Sequence, residues 1–376
     1  MMRVAVVGAG IGGLAVAVGL QHSGHDVAVF ERRTRPNAVG SGLTLFENTF
    51  AALEVLGLAN AVRDISSGQI ASMRTGQRRP SGAWLMTVPP GAVASLRSVH
   101  RMDLHRALTD QLRAGSLRTG IDAHASADGA PEVTIDNRKE FFDLVVVADG
   151  IRSDNRVRLG LDTGVLYAGY TTWRGVTTGP VDLQGEAGET WGRGKLFGIV
   201  PLPDHRIYWF GTLNTPEATA FTDEYETAKK TYVDWHSPVQ ECIAATPPAE
   251  VIRHDIYDLA RPLPSFTRGR TVLLGDAAHA MTPNLGQGAG QAIEDAAILT
   301  RLLRGVSARD VLAALSRYNA LRMKRTQTIS RRSRATGRIA QASRPLTVAL
   351  RDTALRLTPG TVMGAVSRSI QRWDVQ

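Results

Sequence analysis

The chain has 376 residues, 43 % hydrophobic content and 17 prolines, which suits an enzyme-sized globular protein able to bury a large core in two domains. Its single cysteine, Cys242, excludes a disulfide framework, reads as a buried structural thiol and fits a reducing compartment. The chain opens directly on a strand and holds no apolar run long enough to span a bilayer, so a cytoplasmic location is expected; its net charge of +9 is unevenly spread.

Residues 3–7, Arg-Val-Ala-Val-Val, read as a short buried parallel strand. Gly8-Ala9-Gly10-Ile11-Gly12-Gly13 follows at once, then an apolar helix from Leu14 to Leu20 and a second strand, 27–30, that ends in Glu31. This is the strand-turn-helix setting that a G-x-G-x-x-G match requires. Gly8 permits the tight turn, Gly10 lets a pyrophosphate approach, and Gly13 lets helix and strand pack closely. Glu31 lies 18 residues past Gly13, near the spacing of a ribose-binding carboxylate, and would repel a 2′-phosphate. The fingerprint therefore points to FAD or NAD rather than NADP, and does not choose between the first two.

The loop Val39-Gly40-Ser41-Gly42-Leu43-Thr44-Leu45 is rich in small residues, so a ring or phosphate could lie against its backbone. Helical patterns run over 47–57, 101–114, 223–235, 287–305, 310–343 and 345–372. Residues 132–136 and 141–147 read as a strand pair, the second ending in Ala148-Asp149-Gly150. From 165 to 213 the text turns β-rich, with a hairpin turn at Leu202–Arg206, and a further strand is expected at 251–259.

A strand over 271–274 then leads into Gly275-Asp276-Ala277-Ala278-His279-Ala280-Met281-Thr282-Pro283-Asn284-Leu285-Gly286-Gln287-Gly288. A carboxylate closes the strand, a proline-containing turn follows, and glycines open a helix near Gln287. Such a helix start exposes backbone N–H groups and favours negative charge. The arrangement suits a flavin, with Asp276 on the ribityl chain and the helix N-terminus under the ring edge that turns negative on reduction. An ordinary strand-turn-helix is the bland alternative. His279 reads either as a hydrogen-bonded structural histidine or as a proton relay.

Residues 311–351 contain no acid but ten basic residues: Arg317, Arg322, Lys324, Arg325, Arg331, Arg332, Arg334, Arg338, Arg344 and Arg351. A solvated helix face is one reading. Weak contact with an anionic membrane surface, or gathering of acidic substrates and cofactors, is the other. No aromatic-interleaved patch or reader motif accompanies the charge, so nucleic acid is not expected as a partner.

The two cofactor signals lie at opposite ends of the chain and can meet only in a discontinuous domain. The expected division is a Rossmann-like α/β FAD-binding domain at 1–70, 98–164 and 268–340, a β-rich substrate domain inserted at 71–97 and 165–267, and a C-terminal helix over 341–376. Pockets favour such junctions.

Three segments together resemble a known family. Gly8–Gly13 with Glu31-Arg32, then Ala148-Asp149-Gly150-Ile151-Arg152-Ser153, then Gly275-Asp276 through Gly290, are similar in order and spacing to the FAD-dependent aromatic hydroxylases, the para-hydroxybenzoate hydroxylase-like single-component monooxygenases. Trp173-Arg174-Gly175 and the hairpin from Gly198-Ile199-Val200-Pro201 to Ile207-Tyr208-Trp209-Phe210 look most like the salicylate, 3-hydroxybenzoate and urate hydroxylase branch. The resemblance implies that Gly12, Glu31 and Arg32 hold the AMP half of FAD, with Thr44 near its middle and Arg101 at the pyrophosphate. It implies that Asp276 binds the ribityl hydroxyls, that Gly286, Gln287, Gly288, Ala289 and Gly290 line the isoalloxazine, and that Asp149-Gly150 belongs to a shared FAD and NAD(P)H segment.

The activity so implied is NAD(P)H- and O2-dependent hydroxylation of an aromatic or heteroaromatic small molecule through a flavin C4a-hydroperoxide, on tightly but non-covalently bound FAD. No second glycine-rich nucleotide fold is present, so NADH or NADPH would bind transiently at the surface. Neither a metal nor a protein nucleophile is expected, since H-E-x-x-H, paired-cysteine zinc spacing and G-x-S-x-G are absent. Tyr208 is the leading substrate-side residue, as hydrogen-bond partner or stacking ring, with Trp173, Arg174, Phe197 and Phe210 beside it; alternation puts Tyr208 and Phe210 on one face and Trp209 on the other. Where the urate branch carries a substrate-binding arginine this chain has Leu196, which favours a less polar ring; the net basic charge favours an acidic or phenolic one. Rival readings on the same fold are an epoxidase, an isoprenoid reductase, a halogenase (its W-x-W-x-I-P pattern is absent) and a non-enzymatic binding protein like the GDP-dissociation inhibitors.

Overall fold

The computed structural model describes residues 1–35, 41–89 and 93–373. Val39 and Gly40 of the small-residue loop, 90–92 of the expected insert and 374–376 lie outside them. In chain order the main elements are β1 (Arg3–Val7), α1 (Ile11–His22), β2 (Asp26–Glu31), α2 (Glu47–Leu56), α3 (Arg101–Asp110) and β3 (Leu144–Val147), then β4 (Val165–Val176), β5 (Lys195–Pro201), β6 (Ile207–Asn214) and β7 (Ile252–Leu259). The chain returns with β8 (Thr271–Leu273) and closes with α4 (Gly288–Leu303), α5 (Val311–Ala340), α6 (Pro345–Leu357) and α7 (Gly360–Gln371).

The first sheet has six strands, with β8, β3, β1 and β2 parallel at its centre and the short segments Thr267–Arg268 and Leu117–Thr119 at its edges. Its central strands are continuous valine and leucine runs buried on both faces, as a parallel sheet covered on both sides requires. β3 sits between β1 and β8, pairing Val4 with Leu144 and Val145 with Thr271. Strands from the beginning, middle and end of the chain thus lie side by side and end at the same edge.

The second sheet has seven strands, in the order β7, β4, β6, β5, Gly188–Trp191, Thr75–Arg78, Trp84–Val88. One face packs its aromatic residues beneath the helices Glu224–Thr231 and Val239–Ala244, in a core that includes Trp173, Phe197, Trp209, Tyr232 and Cys242. Burial pushes the Cys242 thiol pKa up to about 12, so it behaves as a packed apolar group. The other face carries Val176, Val200, Tyr208 and Phe210.

Two expected elements differ. Residues 132–135 pair with 138–141 across a tight turn at Asp136 and Asn137, both at positive φ (46° and 62°), whereas 144–147 leaves to join the parallel sheet. The Asp-Asn pair was the hairpin signal, and the expected pairing of 132–136 with 141–147 overlooked it. The single helix expected over 345–372 is two helices, α6 and α7, because Pro359 has no N–H to continue the first and restrains the residue before it.

Candidate cofactor and substrate site

The three motifs converge because their strands are neighbours. Gly8 follows β1, Asp149-Gly150 follow β3, and Gly275-Asp276 follow β8, so all three turns open at the carboxyl edge of one parallel sheet, where ligands of open α/β sheets bind. The turn after β1 admits only glycine at two points. Gly8 has φ +105° and a Cβ there would lie 2.4 Å from the Ala148 carbonyl oxygen; a Cβ on Gly13 would lie 2.0 Å from the Gly8 carbonyl oxygen. A Cβ on Gly10 would meet nothing within 4 Å, so its backbone faces open space that a phosphate could fill.

That space is a cleft lined by Gly8, Gly10, Glu31, Arg32, Arg101, Asp149 and Gly150, among others. Glu31 accepts hydrogen bonds from the Ala9 N–H (2.9 Å) and the Arg33 N–H (3.0 Å), which fixes its carboxylate at the cleft wall. Arg101 opens α3 and its N–H donates to the Ser41 carbonyl at 2.9 Å. Burial lowers the Arg101 pKa, and the nearby Asp276 carboxylate partly offsets this. Asp149 accepts from the Asn155 side chain at 2.9 Å through one oxygen, while its other oxygen is buried and has no partner among the described residues. Such an orphan acceptor at a cleft wall fits a ligand hydroxyl. Thr44 lies one strand away, paired with Ser98.

Asp276, near enough to Arg101 of the cleft to act on its charge, is an exposed residue, although enclosure by surrounding protein raises its pKa. Gly288, in the first turn of α4, would meet nothing with a Cβ and leaves the helix N-terminus bare. Gly286 is left-handed, at φ +63°, and turns the chain into the helix.

Not every expected residue points into the cleft. Gly12 packs α1 against Leu274 and Ala292, and Gly290 packs α4 against Thr49, each where a Cβ would clash at 2.6 Å. Gln287 turns its side chain inward, accepting from Asn48 at 3.0 Å and Gln291 at 3.2 Å. Ala289 is half-buried in the first turn of α4. Trp173 and Phe197 belong to the closed core: Trp173 Nε1 donates to Glu224 at 2.7 Å, and Phe197 stacks on Trp209 at 5.3 Å. Period-two alternation puts both on the face opposite Tyr208, which removes them from the substrate side.

Sequence reasoning missed the support beneath the turn. The Gly275 N–H donates to Asp295 (2.9 Å), whose carboxylate also lies 2.5 Å from His279 Nε2 and is paired with Arg322. Arg322 also binds Glu294 (2.7 Å), as does Arg325 (2.6 Å), and Asn48 of α2 donates to Glu294 at 2.6 Å. His279 is therefore a structural partner of Asp295. The signal was present as Glu294-Asp295 inside an otherwise apolar helix facing an arginine-rich one.

On the apolar face, Gly42 gives the Tyr208 ring its place: a Cβ at Gly42 would lie 2.7 Å from the ring. The small-residue loop does accommodate a ring, and it is the protein's own. Arg174 pairs across the strands with Phe210, on the same face as Tyr208, and its Nε is buried without a partner among the described residues. Tyr170, on the same strand, donates to Asn284 of the turn before α4 at 2.9 Å, which ties this sheet to the flavin-type turn.

The profile described as FAD binding domain matches residues 1–333. This chain belongs to that family of FAD-binding monooxygenases. The flavoprotein is 32 % identical to the aurachin C monooxygenase/isomerase of Stigmatella aurantiaca, over 98 % of this chain and 97 % of that one. It is 34 % identical to the 2-heptyl-3-hydroxy-4(1H)-quinolone synthase of Pseudomonas aeruginosa, over 95 % and 94 %. Its fold matches that of Klebsiella pneumoniae HpxO complexed with FAD and uric acid with a TM-score of 0.88 at 28 % identity, over 98 % and 96 % of the two chains. The flavoprotein is thus an FAD-dependent oxidoreductase of the aromatic hydroxylase type.

Proposed function

We propose that this monooxygenase uses NAD(P)H and O2 to hydroxylate a nitrogen heteroaromatic of the quinolone type, an apolar ring system with a single ring oxygen. The carrying observation is the Arg174 Nε, buried and without a partner among the described residues, on the sheet face that also carries the apolar cluster of Val176, Val200, Leu202 and Tyr208 with Phe210 against it. One unpartnered guanidinium nitrogen beside an apolar cluster suits a ring substrate with an oxygen that is anionic or strongly polarised. Leu196, buried near Phe210, adds no polar group. The quinolone named in the Pseudomonas relative supports this class.

Bound FAD supplies hydride acceptance from NAD(P)H and the activation of O2. The protein contributes positioning. The bare N-terminus of α4 would favour negative charge on the reduced ring through its N–H groups and dipole. Asp276 and Arg101 would fix the ribityl and pyrophosphate portions. Tyr208 is buried, which raises its pKa against the lowering effect of Arg174, so at neutral pH it keeps its proton and donates a hydrogen bond. The apolar face excludes water from the reacting ring.

Tyr208→Phe is expected to keep full FAD occupancy and to slow hydroxylation by roughly tenfold, the loss of one hydrogen bond worth about 1.5 kcal/mol. Unchanged kcat with the true substrate would reduce Tyr208 to a packing residue. Arg174→Met is expected to raise KM by about 10- to 100-fold, a charge-assisted contact of about 1.5–3 kcal/mol, and unchanged KM would remove Arg174 from substrate binding. The reaction itself is tested by screening quinolones, phenols, indoles and benzoates for stimulated NAD(P)H oxidation under 18O2. A quinolone product carrying one labelled oxygen is the expected result. Stimulation by benzoates alone overturns the substrate class, and a saturated product without oxygen uptake overturns the chemistry.

A further inference from the structure

The C-terminal helix α6 is built inside out. Its charged pair, Arg351 and Asp352, is buried: Arg351 donates to the Gly192 and Ala340 carbonyls at 3.0 Å each, and Asp352 pairs with Arg351 and Arg79. Three of its four leucines face outward. Leu346, Leu350 and Leu357 are 71 %, 63 % and 77 % exposed, and the i, i+4, i+11 spacing places them in one stripe. Ala349, Thr353 and Ala354 complete an exposed face whose one charge in the helix is Arg356 at its edge. Ile339, at the end of α5, is another exposed apolar side chain, at 54 %.

The charges in this region are almost all positive. Among residues 311–373 the sole acid is Asp352, already paired twice, while Arg317, Lys324, Arg331, Arg332, Arg338, Arg344, Arg356 and Arg368 are exposed. Arg322, Arg325, Arg334 and Arg351 are instead committed to internal partners. This splits the basic stretch into a structural set and an exposed set.

We propose that the outer face of α6 docks the monooxygenase onto an anionic membrane surface, with the leucines entering the headgroup-acyl boundary and Arg338, Arg344 and Arg356 meeting lipid phosphates. Exposed leucines bordered by arginines are the composition of an interfacial helix. A second copy of the chain fits less well, because a two-fold contact through this face would set arginines against their own counterparts while Asp352, the one acid of α6, is already paired. No helix among the described residues is long and apolar enough to cross a membrane, so the helix would lie along the surface. On its inner side, Leu355 packs against the buried cluster of Trp191, Leu196 and Ala340, against which Phe210 also packs, so docking brings lipid within one helix of the proposed substrate face. That last link rests on the proposed function; the docking itself does not.

Sedimentation of the FAD-loaded enzyme with vesicles tests the proposal separately from activity. With phosphatidylglycerol-containing vesicles at low salt the wild type is expected to co-sediment, to be released by high salt, and to remain in solution with phosphatidylcholine alone. Leu346→Ser with Leu350→Ser should lower binding at least tenfold while the flavin spectrum is unchanged, and Arg344→Gln or Arg356→Gln should lower it about fivefold each. Absence of binding to anionic vesicles at low salt overturns the proposal. So does unchanged binding of the double leucine variant, or a wild-type dimer that this variant converts to monomer.

Discussion

Arg322→Ala is expected to destabilise the protein by about 3–5 kcal/mol and to release most of its FAD, because it leaves Glu294 and Asp295, both fully buried, without their shared cation. Thermal unfolding with and without added FAD, together with the flavin-to-protein absorbance ratio, measures both effects. A loss under about 0.5 kcal/mol would show that the network is dispensable. Arg322→Lys should recover only part of the loss, since one ammonium cannot reproduce a fork that reaches both carboxylates. The pH dependence has a definite sign. Burial works to raise the pKa of Asp295 and Glu294, but His279 and Arg322 on the first, and Arg322 and Arg325 on the second, outweigh it and hold both carboxyls below their usual range. Depressed carboxyl pKa values contribute stability that is complete above the unfolded value of about 4 and is lost as the pH falls through the folded values. The gap between wild type and Arg322→Ala should therefore be widest near neutrality and narrow in acid.

Asp276→Ala should act in the opposite way on the empty protein. This carboxylate has no hydrogen-bond partner among the described residues and its pKa is raised by enclosure, so at neutral pH its charge is a cost to the fold. The apoprotein is expected to melt at the same temperature or higher. FAD affinity should fall by roughly two orders of magnitude, about 3 kcal/mol for lost charge-assisted bonds to ribityl hydroxyls. Titration of apoprotein by flavin fluorescence quenching checks this. Wild-type affinity would remove Asp276 from the cofactor site, and a lower apoprotein melting temperature would make it a structural residue.

The backbone of the site was legible because glycine and carboxylate positions are dictated locally: Gly8 by its positive φ, Gly13 by contact with the Gly8 carbonyl of the same turn, Asp276 by the end of a strand. The order of β1, β3 and β8 was not written in any one segment, yet three motifs wanting one cofactor required them to meet. The faces of the second sheet were less legible. Alternation separates Trp173 from Arg174 and Trp209 from Tyr208, but only the helices over one side decide which set is core. The Asn48, Glu294, Asp295 and Arg322 network was hidden for a related reason. Its members are scattered over three helices, and a basic run gives no hint of which arginines turn inward.

The insertion of β3 between β1 and β8 has a consequence during synthesis. About 120 residues separate the exit of β3 from the ribosome and the arrival of Thr271, and throughout that interval one edge of β3 has no neighbour. The nascent nucleotide half must wait, unpaired along that edge, while the intervening sheet assembles, and flavin has no complete seat until the last parallel strand is laid down. Riboflavin-starved cells should therefore accumulate a late, nearly full-length species prone to aggregation rather than early truncated fragments.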